Sequence, residues 1–321
     1  MTKLIAEIGI NHNGSITEAK KLIDIALSCS CWGIKFQFRD PKNYFKNNTN
    51  SAELGKEIID SEIKKNYLNP AQIKNLSNYA SDKGLKVGLS VFAKEDLSKF
   101  KTYNFDFYKI PSASSHDYSL INFLKKKKLL IISFGGKSLN EIKKIISDCN
   151  LIPSKTTLMH CVSNYPVLEI NANLGFIDYL KKKYKKFNIG YSSHEGSIIN
   201  SILALTKKID YLERHITLDK LGTGLDHSSS SNQKEFKLLQ IYNENLNKIF
   251  FEKKKKFPNQ GEIINIQNLG MSYYFNKNLP KGSVLKRSDV VLGYPCVGIN
   301  DLNLKKILNR KIQTNVSTGS H

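Results

Sequence analysis

The 321-residue sequence has few cysteines and no long apolar segment. Its cysteines stand at the five positions 29, 31, 149, 161 and 296. An odd number without paired C-x-x-C spacing argues against a disulfide framework and a zinc site, and it indicates a reducing compartment. No run of about 18 apolar residues is present, and the opening segment MTKLIAEIGINHNG lacks the apolar stretch of a signal peptide. We therefore expect a soluble, cytoplasmic protein with no membrane partner.

Acidic residues are scarce beside basic ones: 28 Asp and Glu oppose 49 Lys and Arg, which gives a net charge of +21. An excess of this kind can indicate a nucleic-acid partner. However, the lysine runs at 125–128, 181–186 and 253–256 fall at predicted helix ends and in a predicted linker, where solvated cations suit the helix dipole. No zinc finger, helix-turn-helix or RNA-binding signature accompanies the charge. We expect no nucleic-acid partner; the competing hypothesis, a DNA-binding protein, predicts strongly salt-dependent affinity for duplex DNA.

Short apolar runs rich in β-branched residues alternate with amphipathic stretches over most of the chain. The predicted strands comprise residues 3–8, 33–37, 86–90, 107–110, 129–133, 156–160, 188–191 and 211–216. The predicted helices comprise residues 16–28, 69–83, 94–101, 118–126, 139–148, 175–183, 197–207 and 234–251. Eight such units over about 250 residues predict a (β/α)₈ TIM barrel, whose active site lies at the carboxyl ends of the strands. A doubly wound sheet is the alternative, but it would gather polar residues at its switch point, whereas here nearly every predicted strand ends in one.

The composition changes after the predicted barrel, residues 1–251. Residues 252–262 form a charged segment with Pro258 and Gly261 that predicts a linker. Residues 263–321 contain short runs broken by NLPKGSVL and GYPCVGIN, which indicate a small β-rich domain. The sequence therefore predicts two domains joined by a linker.

Two histidines close the seventh and eighth predicted strands: His194 in FNIGYSSH and His215 in DYLERH. If these strands are parallel neighbours, both imidazoles emerge at the same edge. Neutral imidazoles commonly bind divalent metals, and two protein ligands leave positions for water and substrate. Histidines that serve only the core or a hydrogen-bond network are the alternative. Their paired strand-end positions favour a metal.

Lys35 and Lys109 end two other predicted strands, within the apolar contexts GIKFQF and DFYKIPS. A buried lysine is costly unless it meets an anion, and a structural salt bridge is one explanation. Ser90, Ser112 and Ser192 lie at the same predicted edge and favour a bound phosphate or carboxylate instead.

Two carboxylates belong to the same edge. Glu7 closes the first predicted strand in IAEIGINHNG, and Asp226 follows the eighth in GTGLDHSSS. Each could pair with a lysine, or act as a base or an acceptor for a sugar hydroxyl. Gly222 and Gly224 predict a loop that can approach a ligand closely.

Seven of these segments occur in one order along the chain: AEIGINHNGS, KFQ, YKIPS, HCVSNYP, GYSSHEG, LERHITLD and GLDHSSS. In this order they resemble the sialic acid synthase family, which includes legionaminic and pseudaminic acid synthases. The tail NKNLPKGSVLKRSDVVLGYPCVGIN resembles the small antifreeze-protein-like (SAF) domain that follows the barrel in that family. The resemblance covers nearly the whole chain.

The resemblance implies a transferase that condenses phosphoenolpyruvate with an open-chain, usually N-acetylated hexose. The products would be a nine-carbon 2-keto acid, that is a nonulosonic acid, and phosphate. A divalent metal, Mn²⁺ or Mg²⁺, would polarise the sugar aldehyde. The protein would be a domain-swapped homodimer. A related synthase that makes an eight-carbon keto acid from a phosphorylated pentose is the alternative, and the SAF-like tail argues against it.

The resemblance also implies roles for individual residues. The metal ligands would be His194 and His215. The phosphoenolpyruvate contacts would be Lys35, Ser90, Lys109, Ser112, Ser192 and Ser163, the last in place of a frequent asparagine. The sugar-side residues would be Glu7, Gln37, Tyr165 and Asp226. The candidate catalytic residues are Glu7 for proton transfer, Lys109, Asp226, and Glu213 to orient water or the metal ligands.

The sequence departs from the family pattern at two positions. Ser114 stands where the family run K-I-x-S-x-E has a glutamate. Tyr294 precedes Pro295 where the SAF domain usually presents an arginine to the partner subunit's active site. Tyr294 would still contact substrate, but a tyrosine cannot make the charged bidentate contact of an arginine. These departures indicate a non-standard acceptor sugar, or a pseudoenzyme that binds sugar or anion without turnover.

Overall fold

A computed structural model describes residues 1–47, 56–127, 129–250 and 257–321. The chain divides into two compact units, Met1–Phe251 and Glu252–His321. All five cysteines are free thiols. Within the described ranges, no helix is long and apolar enough to span a membrane.

The first unit is a closed barrel of eight parallel strands that pair in chain order, with the eighth against the first. The strands are β1 (Lys3–Gly9), β2 (Gly33–Phe38), β3 (Lys86–Val91), β4 (Phe107–Ile110), β5 (Leu130–Ser133), β6 (Thr156–Cys161), β7 (Asn188–Ser193) and β8 (Tyr211–His215). Each matches a predicted strand to within two residues at either end. The predicted barrel is therefore confirmed over the open-sheet alternative.

Alternation along each strand separates an outer core from the barrel interior. In β1, Leu4, Ala6 and Ile8 belong to the large apolar cluster that also takes in helix residues such as Leu22, whereas Ile5 belongs to a separate cluster with Phe107. The members of this second cluster are Ile5, Phe107, Ile131, Met159 and Tyr211. They come from five strands and fill the interior, so the inward positions nearer the strand ends are left to polar side chains.

The helices of this unit lie between the strands, and all but two of them follow the predicted periodicity. They are α1 (Ile16–Ser28), α2 (Pro41–Asn47), α3 (Lys56–Lys65), α4 (Pro70–Asp82), α5 (Lys94–Leu97), α6 (Tyr118–Leu124), α7 (Leu139–Asp148), α8 (Gly175–Lys183), α9 (Ile199–Thr206) and α10 (Gln233–Ile249). Side-chain caps set several of their starts: the Ser138 hydroxyl accepts from the backbone of Glu141, and the Glu141 carboxylate accepts from that of Ser138. The predicted helix 94–101 is shorter in the structure: α5 ends at Leu97 and continues as a 3₁₀ turn at Ser98–Phe100.

The sequence periodicity did not predict α2 and α3, which lie in the connection between β2 and α4. Helix α3 is rich in charged residues, but Ile59 and Ile63 are one turn apart and share a face. Both line the cavity described below. Residues 48–55, between these helices, lie outside the described residues.

The second unit contains an antiparallel pair, β9 (Ser272–Phe275) with β10 (Val290–Gly293), and the helices α11 (Gln260–Leu269) and α12 (Asp301–Ile307). Its core consists of Tyr273, Leu285, Val290 and Leu304. Of the predicted linker 252–262, residues 252–256 lie outside the described residues, as does Lys128 of another lysine run. Residues 260–262 are helical, and the predicted β-rich domain begins at 263 within α11. Helix α11 begins inside the predicted linker because of a capping box, in which the side chains of Asn259 and Glu262 each accept from the other's backbone N–H.

Candidate active site

The strand register brings the predicted site residues together at the carboxyl end of the barrel. Glu7 on β1 lies opposite Lys35 on β2 and His215 on β8. Ser90 on β3 pairs with both Gln37 and Lys109. Ser192 on β7 pairs with Glu213 on β8. Six strands therefore supply one continuous polar surface.

Glu7 is almost fully buried and is bound from both sides. The ammonium of Lys35 forms an ion pair with its Oε2, and Gln37 Nε2 donates to its Oε1 at 2.8 Å. Lys35 also donates to Ser90 Oγ at 2.6 Å. Burial raises the pKa of Glu7 to about 7 even though Lys35 acts in the opposite direction. This carboxyl can therefore hold or release a proton near neutral pH.

Glu213 is equally buried but is held in the ionised form. Its Oε1 lies 2.7 Å from Lys109 Nζ and 4.0 Å from Lys35 Nζ, and it accepts from Ser192 Oγ at 3.1 Å. Burial opposes ionisation, but the two ammonium groups outweigh it and lower the pKa of Glu213 to about 2. Two neighbouring carboxyls thus have opposite protonation preferences, as an acid–base site requires. The second oxygen of Glu213, Oε2, has no hydrogen-bond partner among the described residues.

His194 is oriented by its backbone surroundings. Because a carbonyl oxygen can only accept, the 3.1 Å contact with the Val162 carbonyl requires the proton on His194 Nδ1. The Cys161 sulfur lies 3.7 Å from the same nitrogen. Burial disfavours the charged ring, but Cys161 and the Val162 carbonyl outweigh it and raise the pKa of His194. In the neutral ring Nε2 carries the lone pair, as in metal-binding histidines that donate their other nitrogen to a carbonyl.

His215 lies beside His194, with 5.6 Å between the ring centroids, and Tyr165 packs at 4.4 Å from the His194 ring. Burial and the positive charge of neighbouring groups, His194 first, keep the pKa of His215 well below its ordinary value. Its Nδ1 has no hydrogen-bond partner in the described part of the chain and lies 3.4 Å from Asp226 Oδ2. His215 is therefore held neutral, and its Nδ1, which has no partner among the described residues, fits a divalent metal beside the His194 ring. Within residues 1–47, 56–127, 129–250 and 257–321, no group of three or more His, Cys, Asp or Glu could hold one.

Asp226 is positioned by the serine tract that follows it. The backbone carbonyl of Asp226 accepts from Ser230 Oγ at 2.6 Å and from Ser229 Oγ at 3.0 Å. Asn11 in turn donates to Ser230 Oγ at 2.8 Å. Burial raises the pKa of the Asp226 side chain to about 6. The serine tract at 228–231 therefore anchors a site carboxylate.

A cavity of about 520 Å³ opens onto these groups. Among the predicted residues, its lining contains Gln37, Ser112, Ser163, Tyr165, His215 and Asp226. Glu7, Lys35, Ser90, Lys109, Ser192, His194 and Glu213 are buried next to it in the barrel interior. A Cβ on Gly135 would lie 2.1 Å from Ser163 Oγ and 2.8 Å from Ser112 Oγ, so a side chain here would displace two hydroxyls of the site. A smaller cavity of about 260 Å³, lined by Thr2, Asp210 and others, contains none of the predicted residues.

Several cavity residues were missed by sequence reasoning. They are Arg39, Glu62, Asn66, Tyr67, Phe92 and Lys137. Glu62 and Asn66 belong to or follow the unpredicted α3. Arg39 could have been found, because it continues the alternation of Lys35 and Gln37 along β2.

The two departures from the family pattern lie in different places. The Ser114 hydroxyl donates to the Phe92 carbonyl at 3.0 Å, so it serves the backbone of a cavity-lining loop. Tyr294 belongs to the second unit, where 64% of it is exposed.

The chain has relatives of known name. A family model described as the NeuB family matches residues 22–255. N,N'-diacetyllegionaminic acid synthase of Campylobacter jejuni is 27% identical over 319 residues, covering 96% of this chain and 95% of that protein. N-acetylneuraminate-9-phosphate synthase of Mus musculus is 28% identical over 319 residues, covering 95% and 88%. The crystal structure of N-acetylneuraminic acid synthetase from Leptospira borgpetersenii in complex with citrate is 29% identical, covers 83% of this chain and 90% of that chain, and has a TM-score of 0.71.

Proposed function

The chain belongs to the NeuB family, and on that premise we propose that it is a nonulosonic acid synthase that joins phosphoenolpyruvate to an open-chain, N-acetylated hexose. The products are a nine-carbon 2-keto acid and phosphate. The observation that carries the proposal is the pair of buried carboxyls with opposite protonation preferences, Glu7 and Glu213, beside two lysines and two histidines.

Phosphoenolpyruvate is bound by the lysines and the serine hydroxyls. An ammonium has three donors. Lys109 donates one hydrogen bond to Glu213 and one to the Met159 sulfur at 3.4 Å. Sulfur is a weak acceptor, so a phosphate or carboxylate oxygen would replace it. The hydroxyls of Ser90, Ser112, Ser163 and Ser192 complete the anion site. The carboxylates that already pair with the lysines make their burial tolerable before substrate arrives.

The histidine pair lies where the aldehyde of the acceptor sugar would enter. A divalent ion, Mn²⁺ or Mg²⁺, on His194 and His215 would polarise that aldehyde as a Lewis acid. Tyr165 covers the histidine rings, and Asp226 and Gln37 lie on the cavity wall to bind sugar hydroxyls.

Proton transfer is assigned to the carboxyls. When the phosphoenolpyruvate methylene carbon bonds to the aldehyde carbon, the aldehyde oxygen must gain a proton. Glu7 can supply it because its pKa of about 7 leaves about half of it protonated at neutral pH. Water then adds to the cationic carbon and passes one proton to the now ionised Glu7. The carbon–oxygen bond to phosphate breaks, and the departing phosphate takes the remaining hydroxyl proton as the ketone forms. Glu213, ionised and with one oxygen free of hydrogen bonds in the described structure, orients that water.

The second unit is assigned by resemblance to the SAF type, in a domain-swapped homodimer in which Tyr294 reaches the partner subunit's sugar site. A cytoplasmic location belongs to the same proposal. The SAF type, the homodimer and the location are predictions from sequence.

Phosphate release tests the proposal. Purified protein with phosphoenolpyruvate, Mn²⁺ or Mg²⁺ and a panel of N-acetylated hexoses should release phosphate, and a chelator should stop it. The His215→Ala variant should lose activity at least about a hundredfold, in line with the removal of charge stabilisation at a reacting oxygen. The exposed His116 is the matched control, and His116→Ala should keep full activity. No release with any sugar, or unchanged activity in His215→Ala, would contradict the proposal.

A pseudoenzyme is the second candidate, favoured by Ser114 and Tyr294. It predicts calorimetric binding of phosphoenolpyruvate or sugar without turnover under any of these conditions.

A further inference from the structure

Arg39 extends a line of inward polar side chains on β2. Phe36 and Phe38 belong to the outer apolar core, so Lys35 and Gln37 face the barrel interior. Both of these contact Glu7. Arg39 comes next in the alternation, roughly 7 Å further along the chain than Gln37, and lines the same cavity as His215 and Asp226.

The Arg39 guanidinium is held by aromatic rings. Its central carbon lies 3.9 Å from the ring centroid of Phe92 and 5.2 Å from that of Tyr44. Stacking against a ring fixes the guanidinium plane and leaves its N–H edge for a bidentate acceptor.

No carboxylate among the described residues lies within 4.0 Å of the Arg39 guanidinium. Asp96 is the carboxylate that affects it, but Asp96 Oδ1 already accepts from Asn43 Nδ2 at 3.2 Å and from the backbone of Asp40 at 3.3 Å. Burial lowers the pKa of Arg39, and Tyr44 and Asp96 oppose this only in part. A half-buried guanidinium that has no carboxylate partner in the described part of the chain is costly in a substrate cavity unless a ligand supplies the anion.

Two further charged residues lie on the cavity wall. Lys137 follows β5, and its ammonium is 4.0 Å from the half-exposed carboxylate of Glu141, so it remains available to a ligand. Glu62 is a negatively charged residue on the same cavity wall, and its Oε2 accepts a hydrogen bond from Asn66 Nδ2 at 2.7 Å.

We propose that the acceptor sugar carries an anionic group at the end distant from its aldehyde, a phosphate monoester or a carboxylate, and that Arg39 binds this group with help from Lys137. This inference rests on the proposed function, because His215 and Asp226 define the aldehyde end of the cavity. Arg39 is then the residue that determines acceptor class.

The test offers the full-length protein three acceptors with phosphoenolpyruvate and Mn²⁺: an N-acetylated hexose, its 6-phosphate and the corresponding hexuronate. Formation of the 2-keto acid gives kcat/KM, and calorimetry gives Kd for each acceptor. We expect one anionic acceptor to be favoured over the neutral sugar by about tenfold or more, as a charge-assisted bidentate contact would give. The 6-phosphate and hexuronate arms show which anion it is.

Arg39→Ala should abolish most of this preference, and Arg39→Lys should retain part of it, since an ammonium keeps the charge but loses the fork. Lys101→Ala, which removes an exposed cation outside the cavity, should leave the preference unchanged. Equal or weaker binding of both anionic acceptors by the wild-type protein would overturn the inference, and so would full preference in Arg39→Ala. If no acceptor turns over, the proposed function fails, whereas the Kd ratios still decide the role of Arg39. If Arg39→Ala does not fold, Arg39→Lys and the wild-type ratios decide it.

Discussion

Replacing Glu213 by glutamine should strongly destabilise the barrel, although it changes only one oxygen into an amide nitrogen. Glu213 Oε1 lies 2.7 Å from the buried ammonium of Lys109 and 4.0 Å from that of Lys35. The lowering of its pKa from 4.5 to about 2 corresponds to roughly 3 kcal/mol of stability. Breaking a buried pair from one side typically costs about 3–5 kcal/mol, because the remaining charge stays buried. The pKa shift and the general cost of breaking a buried ion pair therefore predict a similar loss of stability.

The pH dependence follows from the sign of the shift. A carboxyl whose pKa is lower in the folded state stabilises the protein above its unfolded pKa and stops doing so as pH falls. For Glu213 this stabilisation is complete above about pH 5 and is lost as pH falls through about 2. Glu213→Gln should therefore lower the free energy of unfolding at pH 7, and the gap between variant and wild type should close towards pH 2.

Urea unfolding of the full chain, followed by far-ultraviolet circular dichroism, measures the effect. The exposed pair Lys83–Asp24 is the control, because its N–O distance is also 2.7 Å while both side chains are at least one-third exposed. Asp24→Asn should hardly move the midpoint. The double variant Glu213→Gln with Lys109→Met should recover stability, since it removes both charges. A loss under about 1 kcal/mol in Glu213→Gln, or no recovery in the double variant, would refute the electrostatic reasoning.

Three further predictions concern activity. Because the protonated form of Glu7 is the proton donor, kcat/KM for phosphate release should fall as pH rises through about 7, the pKa of Glu7 in the free protein, and Glu7→Gln should lose both activity and this inflection in a pH–rate profile. Gly135→Ala places a Cβ 2.1 Å from one serine hydroxyl of the anion site and 2.8 Å from another, so KM for phosphoenolpyruvate should rise about tenfold or more; Gly175→Ala, with open space at its Cβ, should not change KM. Ser230→Ala should cost about 1–3 kcal/mol in thermal unfolding and reduce kcat, whereas the exposed Ser228→Ala should do neither; equal effects would argue against the serine anchor.

The barrel could be predicted because each of its strands is a short apolar run buried on both faces and each helix has one apolar face. The convergence of the site residues followed from the same fact: parallel strands of a closed barrel end at one edge, so Glu7, Lys35 and His215 must meet. No tertiary detail was needed for that step. The helix–strand rhythm also gave the bounds of α1, α7 and α8 without error.

What the sequence could not predict depends on contacts distant along the chain. It left open whether the buried lysines meet structural carboxylates or a substrate anion, and the structure pairs Lys35 with Glu7 and Lys109 with Glu213 across more than 20 and 100 residues respectively. Helix α3 was missed because its apolar face is narrow and its mean composition is polar. The start of α11 within the predicted linker depended on a local capping box that composition alone conceals.

The pairing of both lysines with carboxylates gives the two carboxyls different consequences when an anion binds. Glu213 is fixed by Lys109, Lys35 and Ser192, so its low pKa keeps it ionised as an anion approaches. Glu7 depends mainly on Lys35 to oppose its burial. An anion that draws Lys35 away from Glu7 weakens that opposition and raises the pKa of Glu7 further. Binding of phosphoenolpyruvate should therefore protonate Glu7, the carboxyl assigned to donate a proton in the next step, so the structural ion pair and the catalytic acid are two states of one residue.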